Sequence, residues 1–233
     1  MKIKIVTSAQ AELRTWRSDT ALIVMPFTDA AQPARAAGMI VMRASAPGLL
    51  LAVQDDRADV FVPLVNRLFA RSASPLFGYV AQEAYAGRDW LRNALNLMDT
   101  RRAGLLAFND GKYFGTLACF GLARRTWAQS VYGGPLFFPG YRRQCAEAEL
   151  SMIASSQRAL VYAPDSVLLQ LDADKNSRAP DEADRRLFLE REASGFDGKI
   201  AAKPLTGTVG SDLFARRRQA AGLSARHEAN GVL

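Results

Sequence analysis

The sequence predicts an α/β fold, a mostly parallel sheet flanked by helices, and three observations predict it. Apolar runs short enough for buried strands alternate with stretches whose apolar residues recur at helical spacing. Two of the runs end on acid, Leu49 to Asp56 (LLLAVQDD) and Gly104 to Asp110 (GLLAFND). A chain of 233 residues, 49% hydrophobic and 23% charged, supplies one substantial core. A buried strand that stops on carboxylates delivers them to the edge of a sheet, where they can hold a divalent cation or a sugar hydroxyl. With the acidic pair Glu147 and Glu149 further on, this layout points to a nucleotide-sugar site.

The elements follow in order. Ala21–Phe27 (ALIVMPF), Gly38–Met42 (GMIVM) and Leu49–Val53 (LLLAV) read as short buried strands, with one short helix over Asp29–Ala37 between the first two. From Asp59 to Arg71, Val60, Leu64 and Leu68, with Phe61 and Val65 beside them, predict an amphipathic helix. Pro75–Ala81 reads as a strand, Arg88–Met98 as a helix carrying Trp90, Leu91, Ala94, Leu95 and Met98 on one face, and Ala103–Phe108 as the strand that delivers Asp110. Leu117–Ala123 reads as a strand and Arg124–Gln129 as a turn or two of helix. Tyr132–Tyr141 (YGGPLFFPGY) is a Gly, Pro and aromatic loop, a wall or lid for a ligand. Cys145–Gln157 returns as a helix. Leu160–Ala163 and Val167–Leu171 read as two strands ending at Asp172, and Asp181–Ala193 as a charged helix. The expected domain covers residues 1–203. Residues 204–233 have too little apolar content to pack well and are expected to form a flexible basic tail.

Thirty Lys and Arg against 23 Asp and Glu give a net charge of +7, which favours an anionic partner such as nucleic acid, nucleotide or phosphorylated glycan. Much of the excess sits at the C-terminal end, in Arg216, Arg217, Arg218 and Arg226. The two cysteines, Cys119 and Cys145, have no metal-ligand spacing, so neither a zinc site nor a disulfide scaffold is indicated. MKIKIVTSAQ lacks the apolar core of a signal peptide, and no run approaches twenty apolar residues. A cytoplasmic protein is expected, with its oligomeric state open.

This order of strands and motifs resembles the GT-A fold glycosyltransferases, specifically the inverting type called family two and a phage or prophage branch of it, over about Ala21 to Asp172. In that family a first strand leads to a loop touching the nucleotide, as Pro26, Phe27 and Thr28 do here. A later strand ends in acids for the uracil or ribose, matching Asp55 and Asp56. A further strand ends in an Asp-x-Asp motif that holds a metal on the diphosphate, matching Phe108-Asn109-Asp110. The helix GRDWLRNALNLMD, Gly87 to Asp99, is similar to the family's Gly-x-x-x-x-x-Asn-x-Ala-Leu helix. After the metal motif the family has a Gly-Gly loop and an acidic base, to which Gly133-Gly134 and then Glu147, with Glu149 as the less favoured alternative, correspond. The resemblance implies a nucleoside-diphosphate sugar donor, a UDP-sugar first, and inversion at the anomeric carbon. It further implies Mg²⁺ or Mn²⁺ on Asp110, with Asp172 as a second ligand. Only one of the two motif carboxylates is kept, and the single histidine, His227, is in the tail.

Each residue also has a plainer use. Asp55 and Asp56 suit a strand-to-loop turn capping the next helix. Glu147 and Glu149 suit the first turn of a helix, where the dipole stabilises them and favours the ionised form that a base requires. Lys112 is placed to neutralise diphosphate charge, and Arg88, on the helix entering the second acidic strand, is a further donor-binding candidate. Trp127 and Tyr132 are the aromatic candidates for the acceptor beside Gly133 and Gly134, because sugar rings and bases stack on aromatic faces. The charge and the phage-like resemblance suggest DNA carrying a hydroxymethylated pyrimidine as acceptor. The alternative is a non-catalytic nucleic-acid-binding or phage accessory protein on a nucleotide-binding fold.

Overall fold

Residues 1–28, 33–56, 60–170 and 181–201 are described by a computed structural model. The chain divides into two units, Met1–Leu171 and Asp172–Leu233. The first unit runs β1 (Lys2–Thr7), α1 (Ser8–Ala11), β2 (Ala21–Phe27), α2 (Pro33–Met42), β3 (Leu49–Gln54), α3 (Phe61–Ala70), β4 (Leu76–Tyr79), β5 (Ala84–Ala86), α4 (Trp90–Arg101), β6 (Leu105–Asn109), β7 (Gly121–Arg124), α5 (Arg125–Tyr132), α6 (Ala146–Ser156) and β8 (Leu160–Gln170). The sheet order is β1-β3-β2-β4-β7-β6-β8-β5. The pairs β1–β3, β3–β2, β2–β4 and β6–β8 are parallel. β4–β7, β7–β6 and β8–β5 are antiparallel. Because β7 is flanked by two antiparallel pairings, β4 and β6 run the same way, and the carboxyl ends of β1, β3, β2, β4, β6 and β8 share one edge.

The core explains the central strands. Ala21, Ile23, Met25, Leu50, Ala52, Leu106, Phe108 and Leu122 are buried together on one face of the sheet with Ala37, Ile40 and Ala44, and with Trp90, Leu91, Ala94 and Met98 of α4. Continuous apolar runs are what a strand covered on both faces requires. β2 therefore starts and stops where its apolar run does.

Four expectations change. Gly38–Met42 is helix, the second half of α2, because Ala37, Ile40 and Ala44 are buried at helical spacing while Met42 is exposed. Only Gly121–Ala123 of the Leu117–Ala123 run is strand, which continues to Arg124. Upstream, Ala118 gives its carbonyl to the Tyr79 hydroxyl (2.8 Å) and its N–H to Ser151 Oγ (2.9 Å), so side chains occupy the groups a ladder would use. The two final strands are one, β8, whose register with β6 slips from Phe108↔Ala163 to Asn109↔Val167 around Pro164, which has no N–H to donate. The aromatic loop is a packed wall: Phe137 and Tyr141 are fully buried, Phe137 lies 5.0 Å from Tyr79 edge-on, and Asn66 brackets the Phe137 backbone from both sides. β1 and β5 are further strands that the apolar runs do not announce.

In the second unit, α7 (Glu182–Ala193) is capped by Asp181, whose side chain accepts from Ala183 and Asp184 N–H. Phe188 stacks 5.7 Å from Phe196, and Arg191 pairs with Asp197 at 2.9 Å. Asp172 and the basic tail lie outside the described residues.

Candidate functional site

The shared carboxyl edge carries most of the candidate residues. At the end of β2, Pro26 is half-buried, Phe27 is buried, and exposed Thr28 donates its N–H to Gln82 Oε1 at 3.1 Å. Phe27 O accepts from Asp55 N–H at 2.9 Å, tying the ends of β2 and β3 together. Asp55 Oδ2 accepts Val60 N–H, just ahead of α3, at 3.2 Å. Asp56 is left exposed and takes a short hydrogen bond from the hydroxyl of Ser8, a buried residue at the start of α1. That hydroxyl, chiefly, holds the Asp56 carboxyl below the usual carboxylate range, assisted by the Ala9 backbone N–H. Ser8 and Gln82 are absent from the candidates read from sequence, because a lone serine or glutamine gives no signal until the fold sets it beside a strand end.

At the end of β6 the environment reverses. Asp110 is 3% exposed. Its Oδ1 accepts the N–H groups of Lys112 (2.8 Å) and Tyr113 (2.9 Å), while its Oδ2 is buried with no hydrogen-bond partner. Burial pushes this carboxyl above its ordinary value, against the pull of the Tyr113 and Lys112 backbone N–H groups and of the Lys112 charge. Asn109 is braced, its Nδ2 donating to Pro164 O (2.9 Å) and its Oδ1 accepting Gly111 N–H (3.1 Å).

The two glutamates of α6 separate into different roles. Glu149 is fully buried, and its two oxygens accept the hydroxyls of Tyr132 (2.9 Å) and Tyr141 (2.8 Å), so it clamps the end of α5 and the aromatic loop. Glu147, two residues nearer the helix start, is half-buried. Its charge reaches the buried Tyr79 hydroxyl at the carboxyl end of β4, which burial chiefly, and then Glu147 and Cys119, hold well above the ordinary tyrosine value. Ser151 fixes that first turn to the loop after Asp110, donating to Glu147 O at 2.6 Å and accepting Ala118 N–H at 2.9 Å. The start of α6 is thus anchored to the loop that follows Asp110.

Three candidates do not join the shared edge. Trp127 covers the start of β6: a Cβ on Gly104 would lie 2.5 Å from its ring, and its Nε1 donates to Gln157 Oε1 at 2.9 Å. The five residues of β6 separate it from Asp110 by about 17 Å. Tyr132 is turned onto Glu149 rather than toward a ligand. Arg88 is exposed on the outer side of β8, next to Gly87, whose N–H donates to Val167 O at 2.8 Å, so a strand stands between it and Asn109. Gly133 and Gly134, at φ 72° and 146°, turn the chain out of α5 with open space where a Cβ would be.

A mixed sheet with these crossovers matches solved structures. The mannosyltransferase PcManGT of Pyrobaculum calidifontis, in complex with GDP-Man and Mn²⁺, superposes with a TM-score of 0.56 at 10% identity, over 97% of this chain and 82% of that one. The fold is that of the GT-A glycosyltransferases. S. aureus TarS, residues 1–349, gives a TM-score of 0.52 at 12% identity over 78% of this chain and 75% of that one. The same protein in complex with UDP-GlcNAc gives 0.50 at 10% identity, over 75% and 73%. No protein-family model matches the sequence, and no curated protein matches it. Among the described residues no helix is long and apolar enough to cross a membrane, and no group of three or more His, Cys, Asp or Glu side chains is gathered.

Proposed function

We propose that the chain is an inverting glycosyltransferase that takes its sugar from a nucleoside diphosphate, with a UDP-sugar as the first donor to try. What supports the proposal is the strand-end edge that carries Asp56 and Asp110 on a GT-A sheet, with the first turn of α6, which bears Glu147, tied through Ser151 to the loop after Asp110. In this reading Thr28 and Asp56 receive the nucleoside, Asp56 as a charged acceptor for ribose or base donors. Glu147 is the base. Its half-buried carboxylate takes the proton of the acceptor hydroxyl. The hydroxyl oxygen forms the new bond to the anomeric carbon from the face opposite the leaving group, while the bond from that carbon to the phosphate oxygen breaks and its electron pair leaves with the nucleoside diphosphate. The proton then passes from Glu147 to water. Glu149, held by two tyrosines, positions the helix that carries Glu147 and does not touch the reacting atoms.

A buried, unpartnered carboxylate oxygen fits a hard divalent cation, and Asp110 Oδ2 supplies it. With one carboxylate from the described residues, the remaining ligands would be diphosphate oxygens and water. Bound there, Mg²⁺ or Mn²⁺ would neutralise the charge that develops on the departing diphosphate. Lys112, two residues after Asp110 and interacting with its charge, serves the same end.

Calorimetric titration with UDP-glucose, UDP-GlcNAc and GDP-mannose, each with and without Mn²⁺, tests the reading. Binding of at least one of them, strengthened by the metal, is the expected result. No binding of any overturns it and leaves the nucleic-acid-binding alternative standing.

A further inference from the structure

The aromatic residues that sequence proposes for the acceptor are occupied elsewhere, and the structure offers a different one. Phe114 is 67% exposed, on the loop between β6 and β7 that starts at Asp110. Its backbone is left-handed, φ 46°, a conformation that a bulky residue adopts rarely and under strain. The loop is built to keep it there. Asp110 Oδ1 holds the two N–H groups preceding it, Thr116 closes the turn with its N–H (3.0 Å) and hydroxyl (2.7 Å) both on Tyr113 O, and Gly115, at φ 81°, sits so close to Tyr162 that any side chain there would strike the ring. A hydrophobic residue fixed in a strained conformation and turned to water is not explained by packing. Phe114 is four residues beyond Asp110, so its Cα lies within about 14 Å of that of the buried acid.

We propose that Phe114 is the acceptor platform and that the acceptor is a saccharide. The proposal rests on the glycosyl-transfer reading above and adds the class of acceptor to it. An exposed phenyl ring takes the apolar C–H face of a pyranose. Nucleobases stack on such a ring as well. The proposed base, Glu147, needs a hydroxyl to deprotonate, and a pyranose lying on the ring presents one on nearly every carbon, whereas a stacked nucleobase presents one only where it is hydroxymethylated.

The test compares the full chain with Phe114→Ala and Phe114→Trp, using the nucleotide sugar that binds in calorimetry. Acceptor probes are the methyl glycosides of glucose, galactose, mannose and N-acetylglucosamine, alongside duplex DNA containing hydroxymethylcytosine. Transfer to at least one glycoside is expected, with acceptor KM raised roughly tenfold in Phe114→Ala, restored in Phe114→Trp, and nucleotide-sugar Kd the same in all three. Tryptophan fluorescence of Phe114→Trp should change on adding the glycoside. An unaltered acceptor KM in Phe114→Ala, or transfer to the DNA and to no glycoside, overturns the proposal while glycosyl transfer stands. Should Phe114→Ala not fold, Phe114→Leu, which keeps apolar bulk without the aromatic face, must show the same rise in KM. Failure of the wild-type chain to bind any nucleotide sugar removes the underlying reading instead, so the two failures are distinct.

Discussion

Two strand ends, both acidic, are treated oppositely by the fold. Asp56, after β3, is exposed and held in its charged form by the Ser8 hydroxyl. Asp110, after β6, is buried, spends one oxygen on two backbone N–H groups and keeps the other without a partner, at the expense of its charged form. The difference teaches what each can do. An exposed, already charged carboxylate is a hydrogen-bond acceptor for a polar ligand. A desolvated one with an orphan oxygen is destabilised until a cation arrives, and its poor fit alone is what makes it suited to one. Glu147 and Glu149, two residues apart in the first turn of α6, differ as well: Glu149 is fully buried between two tyrosine hydroxyls, and Glu147 is half-buried.

The largest effect that would sharpen this contrast is in the glutamate pair. Glu147→Gln should lower turnover by about a thousandfold while nucleotide-sugar Kd stays within about twofold, because only proton acceptance is removed. Steady-state kinetics beside calorimetry measure both, and an equal loss in the two would place Glu147 in binding instead.

Next comes Asp110→Asn, expected to lower turnover about a hundredfold and to abolish any strengthening of nucleotide binding by Mn²⁺. Its effect on stability has the opposite sign. A carboxyl raised in the folded state favours folding below its unfolded value of about 3.8 and loses that contribution as pH rises through the folded value. In metal-free protein at neutral pH, removing the desolvated charge should raise Tm by ~2–4 °C, corresponding to about 1 kcal/mol. A scan across pH 4–8 should show the wild-type disadvantage growing with pH. A lowered Tm at every pH would break the distinction between the two acids.

The smallest effect is expected at Ser8→Ala. Asp56 is lowered in the folded state, so it contributes stability above the unfolded carboxylate value and loses it as pH falls through the folded one. The substitution should flatten this acid limb in thermal scans and weaken nucleotide-sugar binding about threefold, the effect of freeing one exposed carboxylate. A change as large as that of Asp110→Asn would mean that exposure does not separate the two sites.

Most of the scaffold could be read from the chain because burial on both faces leaves an unmistakable mark: ALIVMPF is β2 from first residue to last, and LLLAV lacks only Gln54 of β3. The mark fails where burial is partial. β1, with Lys2, Ile3, Lys4 and Ile5 all exposed at the sheet margin, carries no continuous apolar run, and GMIVM, five apolar residues on a helix, looks like strand because five residues are too few to tell the periods apart. The site follows the same division. Asp56, Asp110 and Glu147 were visible as acids at the ends of elements, a property of local order. Only their chemistry marks Trp127 and Tyr132 in the sequence, and partners remote in sequence, Gly104 and Glu149, engage them.

The sequence by itself determined the alternation of elements, the acids at their ends and therefore the edge at which chemistry is sought, because each is set by residues within a few positions of one another. Which glutamate is buried between two tyrosines, which aspartate is desolvated, and that Phe114 is exposed on the loop after Asp110 were decided only by the tertiary structure. Those properties depend on dielectric surroundings and hydrogen-bond partners contributed by segments that meet only when the chain is folded.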